Sequence, residues 1–152
     1  MIKDKIVVYT SGTFDLFHSN HLKMINYAKG LGDILIVGVS TDELVMTYKD
    51  PPIIPFEERL IIVEGLRNPD IVIPQKTLDH ASLVKQLHID AFVVGDDWVG
   101  KYDYLSEHNV KVFYFPYGDG ISTTNVKDKI LKKYNILKGK VDKHINPDIK
   151  NT

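Results

Sequence analysis

Ten residues near the amino terminus, GTFDLFHSNH (Gly12–His21), gather side chains that can do chemistry. His18 and His21 stand three apart, behind a glycine that can turn the chain and an aspartate that can accept hydrogen bonds. Three readings are open. The two histidines could share a metal, but zinc asks for three or four ligands and no cysteine or H-E-x-x-H companion accompanies them, so no metal site is assigned. Both could be structural. They could also frame an anion site: the first turn of a helix leaves N–H groups unpaired at the positive end of its dipole, and imidazoles there add donors that strengthen as charge builds on a phosphate. The stretch GISTT (Gly120–Thr124) offers a glycine turn, three hydroxyls and another helix start, although alone it reads equally as a plain cap. Two helix starts facing one crevice would describe a triphosphate site, with the chemistry of phosphoryl-type displacement.

Two look-alikes fail on their details. GDDWVGKY, from Gly95, has the glycine–lysine spacing of a P-loop, but Tyr102 stands where a magnesium-holding Ser or Thr belongs. No G-x-G-x-x-G follows the first apolar run, which argues against a dehydrogenase-type dinucleotide site.

The elements that must position these residues read as alternating strands and helices. KIVVYT, DILIVGVS, DIVI, AFVVGD and VKVFYF are short branched apolar runs bounded by Gly, Asp or Pro, suited to parallel strands covered on both faces. HLKMINYAKGLG, FEERLIIVEGL, HASLVKQLH and TTNVKDKILKKY carry helical spacing; Gly32 is expected to close the first in a left-handed cap, Pro55 to start the second, and lysines to end the fourth. The pattern predicts an α/β fold, a Rossmann-like doubly wound parallel sheet of about five strands with flanking helices. Open sheets of this kind bind ligands beyond the carboxyl ends of their strands, where Gly12 and Thr13 fall. YKDPPIIP (Tyr48–Pro55) cannot continue a helix and reads as a flap. The tail after Tyr134 is polar and weakly periodic, giving a domain over residues 1–134 and an extension over 135–152.

Composition sets the outer limits. The chain has 152 residues, 43% apolar and 26% charged, with a net charge of −1 and no cysteine. It is large enough for one core without disulfides or metal, and thiolate sites are excluded. The charge balance gives no global attraction for nucleic acid or anionic lipid. No stretch approaches a membrane span and no signal peptide is visible, so a cytoplasmic protein without a nucleic-acid or membrane partner is expected.

Taken in order, GTFDLFHSNH, EERLIIVEGLRNPDIVIP, FVVGDDWVGKYDYL and GISTT resemble the cytidylyltransferase family over about Lys5 to Tyr134, most of all its members acting on glycerol 3-phosphate. The resemblance implies a Rossmann-like homodimer that transfers CMP from CTP, with magnesium, to a small phosphorylated alcohol and releases pyrophosphate. It implies His18 and His21 as catalytic residues, matching the H-x-G-H signature. Thr13, Phe14, Asp15, Asn20, Arg67, Asp97, Ser122, Thr123 and Thr124 would bind CTP; Arg59, Lys76, Trp98, Tyr117 and Lys49 would bind the acceptor. Other acceptors (phosphocholine, phosphoethanolamine, a sugar phosphate, a phosphorylated amino-acid derivative), ATP in place of CTP, and a non-catalytic nucleotide-binding module are the alternatives.

Two departures from the family pattern stand out. Asn20 replaces the signature glycine, and Tyr117 stands where an arginine usually precedes the I-S-T-T segment. Tyrosine would offer one hydroxyl in place of a fixed charge, with Lys49 or Lys101 as substitute cations. The lysine-rich loop of the glycerol-phosphate enzymes is also thinner, retaining Lys49.

Overall fold

Apolar residues alternate along each central strand and feed two cores, one on each face of a sheet. In the computed structural model, which describes residues 4–118 and 120–145, the strands are β1 (Val7–Gly12), β2 (Ile34–Ser40), β3 (Ile71–Gln75), β4 (Ala91–Gly95) and β5 (Lys111–Phe115). All pair in parallel in the order β3-β2-β1-β4-β5. Val8, Leu35, Val37, Val39, Ala91 and Val93 face helices α1 (Ser19–Lys29) and α3 (Phe56–Glu64), with Met24, Ile25, Ala28 and Val63 closing that core. Tyr9, Ile36, Phe92 and Val94 face the other way, toward Val84 of α4 (His80–Leu87) and Leu105. This period of two explains why the central strands read as unbroken apolar runs: their residues are buried on one face or the other, while edge strands β3 and β5 are only partly covered.

Strand order reverses between β1 and β4, the switch point where open α/β sheets leave a crevice at their carboxyl edge. Thr10 stitches the two strands there, its Oγ1 donating to the Val93 carbonyl at 2.8 Å.

Local differences from the sequence reading have physical causes. The first helix ends at Lys29 on a right-handed Gly30, and Gly32 is not its left-handed cap. Gly32 instead allows close approach, since a Cβ there would stand 2.7 Å from Val8 Cγ2 and 2.8 Å from Ile6 Cγ2. A short helix α2 (Asp42–Val45), capped by Thr41, follows β2; its single turn was too brief to show periodicity. The last helix, α5 (Thr123–Ile145), runs across the position 134/135 at which the extension was expected to begin; residues 146–152 lie outside the described residues. The chain divides into two compact units, residues 1–120 and 121–152. Among the described residues no helix is long and apolar enough to cross a membrane.

Candidate active site at the switch point

The loop between β1 and α1 is held by bonds from its own and neighbouring side chains. Phe14 and Leu16 both take left-handed backbone (φ +56° and +48°), an uncommon conformation for such residues that the surroundings must hold. Asp15, buried, accepts from the backbone N–H groups of Ile53 and Ile54, both at 2.9 Å. The stretch read as a flap is therefore fastened to the histidine loop through Asp15.

Arg59 completes the fastening. It is 1% exposed; its Nε donates to the Ile54 carbonyl at 2.9 Å, Nη1 to the carbonyls of Thr13 at 2.6 Å and Ser40 at 2.7 Å, and Nη2 to Asp42 Oδ1 at 2.6 Å. One guanidinium ties together the chain leaving β1, the chain leaving β2 and the entrance to α3. Arg59, expected to bind the acceptor, is an internal hub with four of its five N–H donors engaged inside the fold.

The histidines sit where this loop meets α1. Their rings stack, centroids 3.7 Å apart and planes at 20°, and His21 packs against Phe14 and Phe17 at 5.5 and 5.3 Å. His21 Nδ1 accepts the His18 backbone N–H at 3.2 Å. That bond assigns the neutral tautomer, with the proton on Nε2. Burial first, then neighbouring His18 and Lys49, drives the His21 pKa down to about 3, against an upward pull from Asp15. Burial also lowers that of His18. Two stacked rings in this setting are neutral near pH 7. Neutral imidazoles can donate hydrogen bonds but are not resident cations.

Asn20 and Tyr117 turn toward each other. Asn20, 6% exposed, donates through Nδ2 to the Tyr117 carbonyl at 3.3 Å. The Tyr117 hydroxyl reaches Met24 Sδ at 3.2 Å, and its ring lies over Gly95, where a Cβ would collide with it. Burial, with Asp97 and Asp96 nearby, raises the Tyr117 pKa. Tyr117 was expected to offer its hydroxyl to the acceptor; here that hydroxyl turns to Met24 in the core.

Beyond β4, Asp97 and Trp98 lie in a short 3-10 turn. Burial is the leading cause of a raised Asp97 pKa, opposed in part by Lys49 and Lys101. Lys49 thus lies within electrostatic reach of both His21 and Asp97. Trp98 meets Tyr48 edge-on at 5.9 Å and carries the Lys101 ammonium 5.1 Å above its ring. Tyr48, not singled out in the sequence, joins this wall through its ring; only its place beside Lys49 hinted at it.

Two expected residues are not brought to this cluster. Arg67, expected beside CTP, is exposed in the turn entering β3. A crossover helix returns the chain to the amino edge of a parallel sheet, so a residue between α3 and β3 falls opposite the histidines. Lys76 is exposed just past β3, at the carboxyl edge but on the outermost strand of that side. In the second unit, Ser122 caps α5: its Oγ accepts the Asn125 N–H at 3.1 Å, and Asn125 Oδ1 faces back to the Ser122 N–H at 3.5 Å. Thr123 and Thr124 follow in the first turn of that helix. Among the described residues no three His, Asp or Glu side chains group as metal ligands.

The histidine pair also missed a relative of a different kind. His80, at the first position of α4, is 1% exposed inside a box of Tyr9, Phe92 and Tyr102, and burial lowers its pKa to about 4. Nothing in the sequence separates it from a surface histidine.

Comparison with known proteins agrees with this geometry. Glycerol-3-phosphate cytidylyltransferase of Bacillus spizizenii is 47% identical over 121 residues, 79% of this chain and 93% of that protein. The enzymes of the same name from Bacillus subtilis and Staphylococcus aureus are 43% and 36% identical, covering 81% and 83% of this chain and 95% and 96% of theirs. A lipopolysaccharide core biosynthesis protein from Thermoplasma volcanium superposes with a TM-score of 0.64 at 27% identity, over 71% of this chain and 93% of that one. The Cytidylyltransferase-like family pattern spans residues 9–129. With its histidine pair at the switch point of a 3-2-1-4-5 sheet, the chain belongs to the cytidylyltransferase-like family.

Proposed function

We propose that the protein transfers CMP from CTP to glycerol 3-phosphate, giving CDP-glycerol and pyrophosphate for the synthesis of a cell-wall or capsule polymer. The observation that carries the reading is the pair of stacked, neutral imidazoles at the start of α1, in a chain 47% identical to an enzyme of that name. A phosphate oxygen of glycerol 3-phosphate attacks the α-phosphorus of CTP. The new P–O bond forms as the bond to the α–β bridging oxygen breaks, and that oxygen leaves with its electron pair on pyrophosphate. No covalent enzyme intermediate is needed, and no cysteine is present to form one. The chain's work is placement and charge stabilisation.

His21, donating from Nε2, and His18 stabilise the charge that gathers on the phosphates in the transition state. The backbone of Thr13 and Phe14 borders the nucleotide, and Asp15 keeps that loop in shape. In the second unit, Ser122, Thr123 and Thr124 at the start of α5 offer hydroxyl and backbone donors of the kind a phosphate takes. Asp97 and Trp98 border the cytosine and the acceptor. With the Tyr117 hydroxyl turned inward, Lys49 is the nearer cation for the phosphates, with Lys76 and Lys101 farther out. The active form is a homodimer; Ile61, Ile62 and Ile71, about half exposed, form a candidate contact surface.

The test is pyrophosphate release and CDP-glycerol formation with CTP and glycerol 3-phosphate, run beside ATP and beside phosphocholine, phosphoethanolamine and sugar phosphates. Fastest turnover is expected with the CTP and glycerol 3-phosphate pair. A faster rate with another acceptor would reassign the substrate, and CTP binding without pyrophosphate release from any acceptor would remove the catalytic reading.

A further inference from the structure

Asn20 and Tyr117, two of the positions where the sequence departs from the signature it resembles, touch. We infer that they form a brace which fixes the histidine helix against the end of β5, making Asn20 a positioning residue for His18 and His21 and not a ligand of the nucleotide. The inference rests on the reading that these histidines serve the phosphates.

Tyr117 holds α1 at two points. Its carbonyl accepts from Asn20 Nδ2 at 3.3 Å, and its hydroxyl reaches Met24 Sδ at 3.2 Å. Asn20 and Met24 are four residues apart, so they lie one above the other on the same face of the helix. Both are buried, at 6% and 1% exposure. Two contacts one turn apart fix the rotation of a helix as well as its height, which one contact cannot do. The ring of Tyr117 is itself seated in the space that Gly95 leaves at the end of β4 and stands edge-on to Phe115 at 5.9 Å. The brace therefore runs from the end of β4, through Tyr117, to the first two turns of α1.

What it positions is the residue next to Asn20. His21 follows directly, and its Nδ1 bond to the His18 backbone N–H closes the first turn. A small rotation of α1 would swing His21 across the crevice. A glycine at position 20 has no side chain to resist that rotation, and it is a poor helix former. The amide also reaches the following turn: a Cβ on Gly120 would stand 3.6 Å from Asn20 Nδ2, so the segment just before the GISTT hydroxyls packs against the same side chain.

The bond needs a donor at position 20, which sets the test. Asn20→Asp keeps the shape but places a carboxylate against a carbonyl, whereas Asn20→Ala only removes the donor. On purified, folded variants, Asn20→Asp is expected to lower kcat by about 30-fold and Asn20→Ala by about tenfold. KM for CTP should stay within about threefold in both, and the His21 imidazole NMR resonances should shift. Tyr117→Phe keeps the carbonyl and loses the Met24 contact; a two- to fivefold fall in kcat is expected, and it serves if the Asn20 variants do not fold. Three outcomes overturn the inference: unchanged kcat with unmoved His21 resonances, a loss confined to KM for CTP, or Asn20→Asp equal to wild type. Because the wild-type rate and the His18→Ala and His21→Ala variants test the role of the histidines separately, failure of the brace leaves that role standing.

Discussion

Two loops meet at the switch point, and they are held by opposite means. The loop after β1 is fixed by buried polar bonds: Asp15 to two backbone N–H groups, and Arg59 to three carbonyls and Asp42. The turn after β4 is held mainly by rings. Trp98 leans on Tyr48 and Tyr102, and Asp96, Asp97, Val99, Gly100 and Lys101 are exposed. Directional bonds fix position to a few tenths of an ångström, while ring contacts tolerate sliding. On the proposed reaction, the difference would suit a first loop that holds the α-phosphorus for an in-line displacement and a second that adapts to the shape of an acceptor.

The strongest way to break the comparison is to remove the hub. Arg59→Met takes the ion-pair partner from Asp42, whose side chain is 32% exposed and still accepts from the Phe56 N–H, and takes this donor from three carbonyls. A buried group left without its hydrogen bond costs about 1–3 kcal/mol. Urea unfolding of the variant is expected to show that loss, and weakened activity even where the protein stays folded. A loss below about 1 kcal/mol would mean the first loop is held by something other than polar bonds.

Next in size are the histidines themselves. His21→Ala and His18→Ala are expected to lower kcat by about 10²-fold or more, the scale for losing one donor to a transition-state oxyanion, with the fold intact. Unchanged turnover in either would end the role given to it.

Much of this architecture could be read from the residues, and the parts that could not share a cause. The central strands β1, β2 and β4 stand out because they are buried on both faces, so their apolar runs are unbroken, and the partly covered edge strands β3 and β5 still carry branched and aromatic runs. The histidine loop stands out because Gly12, His18 and His21 occupy the join of a strand and a helix. For Arg59, a sequence shows an arginine on a helix, not which carbonyls surround it. For Arg67, spacing along the chain does not say on which edge of the sheet a crossover ends. The bond between Asn20 and Tyr117 spans 97 positions, and nothing local to either residue announces it.

Acid sharpens the comparison, because each loop conceals one histidine. His21 lies under the first and His80, against Tyr102, under the second, with pKa values lowered to about 3 and 4. In the unfolded chain each takes a proton near pH 6.5. Stability from both is fully present above that value and is lost as pH falls toward the folded values, because the unfolded state then binds protons that the native state does not. Each contributes a slope of up to about 1.4 kcal/mol per pH unit. Urea unfolding at pH 7.5, 6.0 and 5.0 should show the fall. His80→Phe should flatten the slope by one proton without touching the chemistry, and His21→Phe should flatten it and abolish turnover. An unchanged slope in His80→Phe would mean that histidine is already charged in the native protein.

The smallest effect tests the looser loop. The Lys101 ammonium sits 5.1 Å above Trp98 on an exposed surface, and such a pair is worth about 0.5–1 kcal/mol. Lys101→Ala should therefore raise KM for glycerol 3-phosphate by about two- to fivefold while kcat and KM for CTP hold. Trp98→Ala removes the ring that the lysine covers, so the double variant should be little worse than Trp98→Ala alone. Additive losses would show that Lys101 acts on the acceptor directly and not by steadying the tryptophan. The same substitution would then separate a wall that merely borders the acceptor from one that carries charge to it.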